Sequence, residues 1–171
     1  DKVVPKAASF ADGISIVYIT LTVTWAFMLW GAGMPVFDSI AHAMTTLATG
    51  GYSTKSSSLS AFNSSTIETI IIFGMIVGSL PFVHYLSITK NGWRNLIKDD
   101  QVKLFFILII SAVLIITTYL NFKNVPYFEA LRLASFNVVS IISGTGFGTS
   151  DFNNWGGFPT TLLLILMFVG G

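Results

Sequence analysis

Two short runs of this chain could do chemistry with backbone atoms alone. Thr49-Gly50-Gly51-Tyr52-Ser53-Thr54 and Gly144-Thr145-Gly146-Phe147-Gly148-Thr149 each end an apolar stretch in glycines and hydroxyls that cannot stay helical. Laid over each other at an offset of about 95 residues, they pair Gly51 with Gly146, Tyr52 with Phe147 and Thr54 with Thr149, which marks an internal duplication. Glycine admits the φ > 0 turns that aim successive carbonyl oxygens at one axis. A ring of such oxygens can replace the hydration shell of a monovalent cation.

Composition says where such loops sit. The chain is 53% hydrophobic and 14% aromatic but only 10% charged, and its mean hydropathy is +0.74, far from the balance of a soluble domain. A membrane protein follows. Net charge of +1 with no basic stripe excludes a nucleic-acid binder, and the lack of cysteine excludes disulfides and thiolate metal sites.

The elements that must hold the loops can be taken in order. Residues 1–88 form one pore repeat: a span over 13–31, a re-entrant half-helix over 37–48, the loop 49–53 and a second span over 66–88. A half-helix of 10 to 12 residues reaches only ~15–18 Å, about half of a ~30 Å hydrocarbon core. Asp38 and Ser39 are its expected N-cap residues, and Trp25 and Trp30 suit an interfacial belt on the first span. Gly74 and Gly78 stand at the GxxxG spacing that lets a neighbouring helix come close, and Pro81 is expected to kink that span. Residues 89–103 are expected to be a charged cytoplasmic loop. The second repeat, 104–171, holds a span over 104–121, a half-helix over 127–143, the loop 144–148 and a shortened span over 158–171.

With the first span running outward, Lys2, Lys6, Lys90, Arg94, Lys98 and Lys103 lie inside and only Lys55 and Lys123 outside, as the positive-inside rule asks. Both half-helices then enter from the outside. The last apolar stretch is too short to cross, so the chain is expected to be a fragment of a longer protein. Irregular backbone at membrane depth is tolerated only where it is buried in protein or lines a water-filled path, and the negative ends of the half-helix dipoles attract positive charge there.

Span, half-helix, glycine loop and span resemble the repeat of potassium channels, although neither loop reads Thr-Val-Gly-Tyr-Gly. The two loops together, in this order and each between spans, resemble the second and third filter loops of the membrane subunit of Trk-type potassium uptake systems in the Trk/Ktr/HKT superfamily. The resemblance implies an all-α membrane protein in a cell (inner) membrane, a fragment of a four-repeat pore. It also implies a homodimer of the parent and a cytosolic nucleotide-binding regulatory ring that gates it. The transported ion would be K+, with Rb+ or Na+ as possible companions, and no catalytic cofactor is implied. By position, the ion contacts are the carbonyls of Thr49, Gly50, Gly51 and Tyr52 and of Gly144, Thr145, Gly146 and Phe147, with Tyr52 and Phe147 also bracing the loops. An intramembrane gating loop would begin near Gly170-Gly171. Ser53, where the other loop has Gly148, makes the ring asymmetric.

Blander readings stand beside these. The glycines of the second loop lack the preceding strand and third glycine of a dinucleotide fingerprint. His42, with no carboxylate cluster, reads as a packing residue, His84 as interfacial, and Arg132 as the partner of Glu129 three residues before it, with support of the pore loops or of the subunit contact as the alternative for an intramembrane arginine. No catalytic constellation is present, so an enzyme is not expected. A two-pore-loop potassium channel completed by dimerisation and a non-transporting structural bundle are the alternatives.

Overall fold

The computed structural model describes residues 3–91 and 94–170. Lys2 and Gly171, used above for orientation and for the end of the last span, lie outside the described residues, as do Gly92 and Trp93. Every regular element among the described residues is helical: α1 (Val3–Gly31), α2 (Val36–Leu47), α3 (Ser65–Ser79), α4 (Phe82–Asn91), α5 (Arg94–Lys98), α6 (Asp100–Phe122), α7 (Tyr127–Ile142) and α8 (Gly157–Gly170). Phe10–Gly31 of α1 and all of α6 are long and apolar enough to cross a membrane. The 12 residues of α2 and the 16 of α7 come to roughly 18 and 24 Å, short of a ~30 Å core.

The same packing occurs twice. Helix α1 lies on α2 and α2 on α3; α6 lies on α7 and α7 on α8; α3 against α7 joins the two units. Glycines set the closeness of the second of these contacts. A Cβ at Gly78 would stand 2.7 Å from the carbonyl oxygen of Leu47, the last residue of α2, and one at Gly170 would land on the carbonyl of Ile142, the last residue of α7. Gly74 receives Trp25 and Thr46 in the same way. Gly78→Ala forces α2 off its seat, because the obstacle is backbone and cannot rotate away. A loss of about 1–3 kcal/mol is expected for this overpacking, read as a lower melting temperature of the full-length protein in detergent.

Several expectations are corrected. Helix α2 starts at Pro35, not at Asp38 or Ser39: proline's fixed φ of −53° leads into the helix, and Asp38 falls in the first turn. Trp25 is no belt residue, being 9% exposed with its indole N–H donating to the Ile70 carbonyl at 2.9 Å; Trp30 is exposed. The 66–88 span is two helices, because Pro81 drives Leu80 to an extended conformation (φ −75°, ψ 142°) and ends α3. The Tyr85 hydroxyl donates to the Val77 carbonyl left free by the break, at 2.6 Å. The 89–103 segment is not all loop: it contains α5 and the first turn of α6, which Asp99 caps by accepting from the N–H groups of Gln101 and Val102. His84 is drawn to that cap, its Nε2 3.2 Å from Asp99.

Burial is inverted relative to a water-soluble protein. Asp38, Ser39, His42, Thr46, Glu68, Asn137, Ser140 and Thr145 are buried, whereas Ile16, Ile19, Val23 and Phe27 on α1, Ile107, Ile110 and Leu114 on α6, and Leu164 and Phe168 on α8 are exposed. Apolar faces of this extent are stable where the solvent is hydrocarbon.

Candidate ion-pathway site

The loops differ from ordinary interhelical turns in the handedness of their backbone. Thr49 and Gly51 have φ of 49° and 66°, and Gly144 and Gly146, at the matching positions, have 70° and 80°. Gly50 and Thr145, between them, are not left-handed. In an extended chain successive carbonyls point to opposite sides; alternating handedness turns them to the same side. Glycine takes the left-handed positions without strain at three of the four sites, while β-branched Thr49 holds φ > 0 at a cost.

Each loop hangs from the C-terminal end of its half-helix by the same bonds. The N–H of Gly51 donates to the Thr45 carbonyl at 3.4 Å, and that of Gly146 to the Ser140 carbonyl at 3.1 Å; in the first unit the Gly50 N–H shares the Thr45 carbonyl at 2.7 Å. The hydroxyls of the same two residues reach past the loop: Thr45 Oγ1 donates to the Tyr52 carbonyl at 2.9 Å and Ser140 Oγ to the Phe147 carbonyl at 2.7 Å. Thr45 and Ser140 are again about 95 residues apart. Each of these two carbonyls thus has one lone pair engaged by a hydroxyl on its half-helix and one that is not.

The tips meet. A Cβ at Gly51 would fall on the carbonyl oxygen of Thr145, so the two loops touch with no room for a side chain between them. Gly144 and Gly146 have nothing within 4 Å of where a Cβ would stand, and both are exposed. A recess of about 420 Å³ lies beside the loop residue Thr49 and the C-terminal end of α7, with Ser79, Pro81, Gln101, Ser143 and Gly170 also in its wall.

The surroundings hold the loops from outside. Asp38 is buried, accepts from the Thr54 hydroxyl at 2.7 Å and faces the Lys55 ammonium at 3.3 Å. The polar stretch 53–65 reaches across to the second unit. The Ser58 hydroxyl accepts from the N–H of Gly148 at 3.2 Å, the N–H of Leu59 donates to the Gly148 carbonyl at 3.2 Å, and Leu59 is buried.

Of the two aromatic braces, Phe147 is buried, as a brace should be. Tyr52 is 78% exposed, which corrects its half of the expectation. Phe147 of the second unit packs into the first, stacked on His42 of α2, whereas Tyr52 stands exposed. Arg132 also departs from expectation. It pairs not with Glu129 but with buried Glu68 on α3, Nη1 to Oε2 at 3.5 Å, tying one unit to the other. Thr45, Ser140, Ser58 and Glu68 were not singled out from the sequence; the 95-residue match of the hydroxyls was the signal available for the first two. No cluster of three or more His, Cys, Asp or Glu side chains that could hold a metal ion occurs among the described residues.

Two copies of a helix, a short helix, a left-handed glycine loop and a second helix, with the loop tips in contact, define a pore-loop membrane fold. A family model described as TrkH, cation transport protein, matches residues 1–171, and the chain belongs to that family. The chain is 36% identical over 174 residues to the Trk system potassium uptake protein TrkH of Salmonella typhimurium and 37% identical over 175 residues to that of Escherichia coli K12. Both alignments cover 100% of this chain and 36% of the relative, so the chain spans about a third of the length of these relatives. The crystal structure of the potassium transporter TrkH from Vibrio parahaemolyticus superposes with a TM-score of 0.91 at 30% identity, covering 98% of this chain and 37% of that one.

Proposed function

We propose that this chain forms two of the filter loops of a potassium pathway, in which dehydrated K+ passes between the carbonyl oxygens of Thr49, Gly50 and Gly51 and those of Gly144, Thr145 and Gly146. The observation that carries it is the alternation of left-handed residues at matched positions of two touching loops. Oxygens turned to one side stand in for water around a monovalent cation, and the C-terminal ends of α2 and α7 add negative potential at the same place. The recess beside Thr49 supplies the aqueous exit that irregular backbone at this depth requires.

The exposed apolar faces favour a multi-pass protein in the cell membrane. The names of the relatives favour potassium as the ion, and their greater length favours a four-unit parent over a two-loop channel completed by dimerisation. By the same family likeness, the parent is a homodimer gated by a nucleotide-binding ring on the cytosolic side. Reconstituted in liposomes, the full-length protein is expected to take up rubidium well ahead of sodium. Absence of any flux would leave only a structural bundle.

A further inference from the structure

We propose that His42 is a positioning residue for the filter, which it sets through a hydrogen bond to Ser53; this rests on the cation pathway proposed above. The ring is fully buried on α2 and touches both loops. Its Nδ1 lies 2.7 Å from the Asp38 carbonyl, which can only accept, so this nitrogen carries the hydrogen. In the neutral ring Nε2 is then an acceptor, and the Ser53 hydroxyl donates to it at 3.0 Å. Ser53 Oγ accepts in turn from the N–H of Lys55 at 3.1 Å, which closes the outer end of the first loop. On its face the ring stacks with Phe147 of the second loop, centroids 5.9 Å apart and planes at 29°, and Phe62 meets it edge-on at 5.4 Å.

The second unit repeats this wiring with a different residue. Asn137, about 95 residues on, donates to the Leu133 carbonyl four residues back at 2.9 Å and to the Ser150 hydroxyl beyond its loop at 3.3 Å. A histidine and an asparagine share little in shape. What the two positions share is a polar side chain anchored on its own helix and bonded to a serine hydroxyl at the far side of the loop, Ser53 at its end in the first unit and Ser150, two residues past it, in the second. In the first unit this bond fixes Ser53 directly after the oxygens proposed to face the ion, and the stacked ring carries any displacement of that loop to Phe147.

The test uses full-length protein in liposomes and the ratio of rubidium to sodium uptake. His42→Phe keeps the aromatic stack but removes both ring hydrogen bonds, and Ser53→Ala removes the donor to Nε2 together with the acceptor of the Lys55 N–H. Each is expected to lower the ratio roughly tenfold, the scale of one lost buried hydrogen bond, and the double variant is expected to lower it no further, because both changes remove the same bond. His42→Gln, whose amide reaches where Nε2 stood, is expected to stay within about twofold of the unsubstituted protein. A merely structural role would move melting temperature without this pattern of rescue and non-additivity. Wild-type ratios in both Ser53→Ala and His42→Phe, or a double variant that loses the product of the two singles, would overturn the proposal. If His42→Phe fails to fold, Ser53→Ala decides alone. Failure of the unsubstituted protein to favour rubidium would instead remove the cation pathway itself, and is seen before any variant is made.

Discussion

Gly51→Ala is expected to cost the protein its preference for rubidium over sodium and to do so more severely than Gly146→Ala. Both residues are left-handed, at φ 66° and 80°, so alanine pays about 1–2 kcal/mol in backbone strain at either. They part company in their surroundings. At Gly51 the new Cβ falls on the carbonyl oxygen of Thr145, a backbone atom that can yield only by moving the second loop; at Gly146 the space is open. Overpacking against a rigid partner adds about 1–3 kcal/mol, and with 1.4 kcal/mol corresponding to a factor of ten, displacement of six proposed ion-facing carbonyls amounts to a selectivity loss of tenfold or more. Parallel uptake of the two ions by the full-length variants checks this. Equal effects at the two positions, or a milder one at Gly51, would mean that the tips do not meet as described.

The second large effect is expected at the tie between the units. Glu68 is 6% exposed, and its Oε2, 3.5 Å from Arg132, has no hydrogen-bond partner. Arg132→Gln therefore strands a buried carboxylate. Removing one member of a buried pair costs about 3–5 kcal/mol, but the Arg132 side chain is 37% exposed, which places the expectation nearer 1–3 kcal/mol after screening. The signature is in the cycle: Glu68→Gln made together with Arg132→Gln should recover part of the lost melting temperature, because the stranded charge is gone. Rubidium uptake should fall with Arg132→Gln, since α3 against α7 is one of the contacts that join the units whose loops meet. Unchanged melting and uptake would reduce the pair to a surface contact.

How far the sequence carried this account varies by residue. The loops were legible because glycines that interrupt an apolar run after an undersized helix have few other uses in lipid, and because they recur. Pro81 was legible as a disturbance, but its depth was not: how completely a proline ends a helix depends on whether the freed carbonyl finds another donor, here the Tyr85 hydroxyl. Arg132 was misassigned for a general reason. Spacing within a helix makes Glu129 a candidate, and only tertiary packing brings Glu68, 64 positions earlier, into reach. The same holds for Ser58, whose bond to Gly148 spans 90 residues and leaves no local pattern. The place of Trp25 near the end of its span suits a belt residue, whereas Gly74 makes room for it inside.

Anomalous scattering from crystals of the full-length protein grown in rubidium tests the central claim most directly. Peaks are expected on one axis between the two tips, in contact with the carbonyl oxygens of Thr49, Gly50 and Gly51 on one side and of Gly144, Thr145 and Gly146 on another. Tips that face apart, or an axis filled by side chains with no scatterer between them, would contradict it.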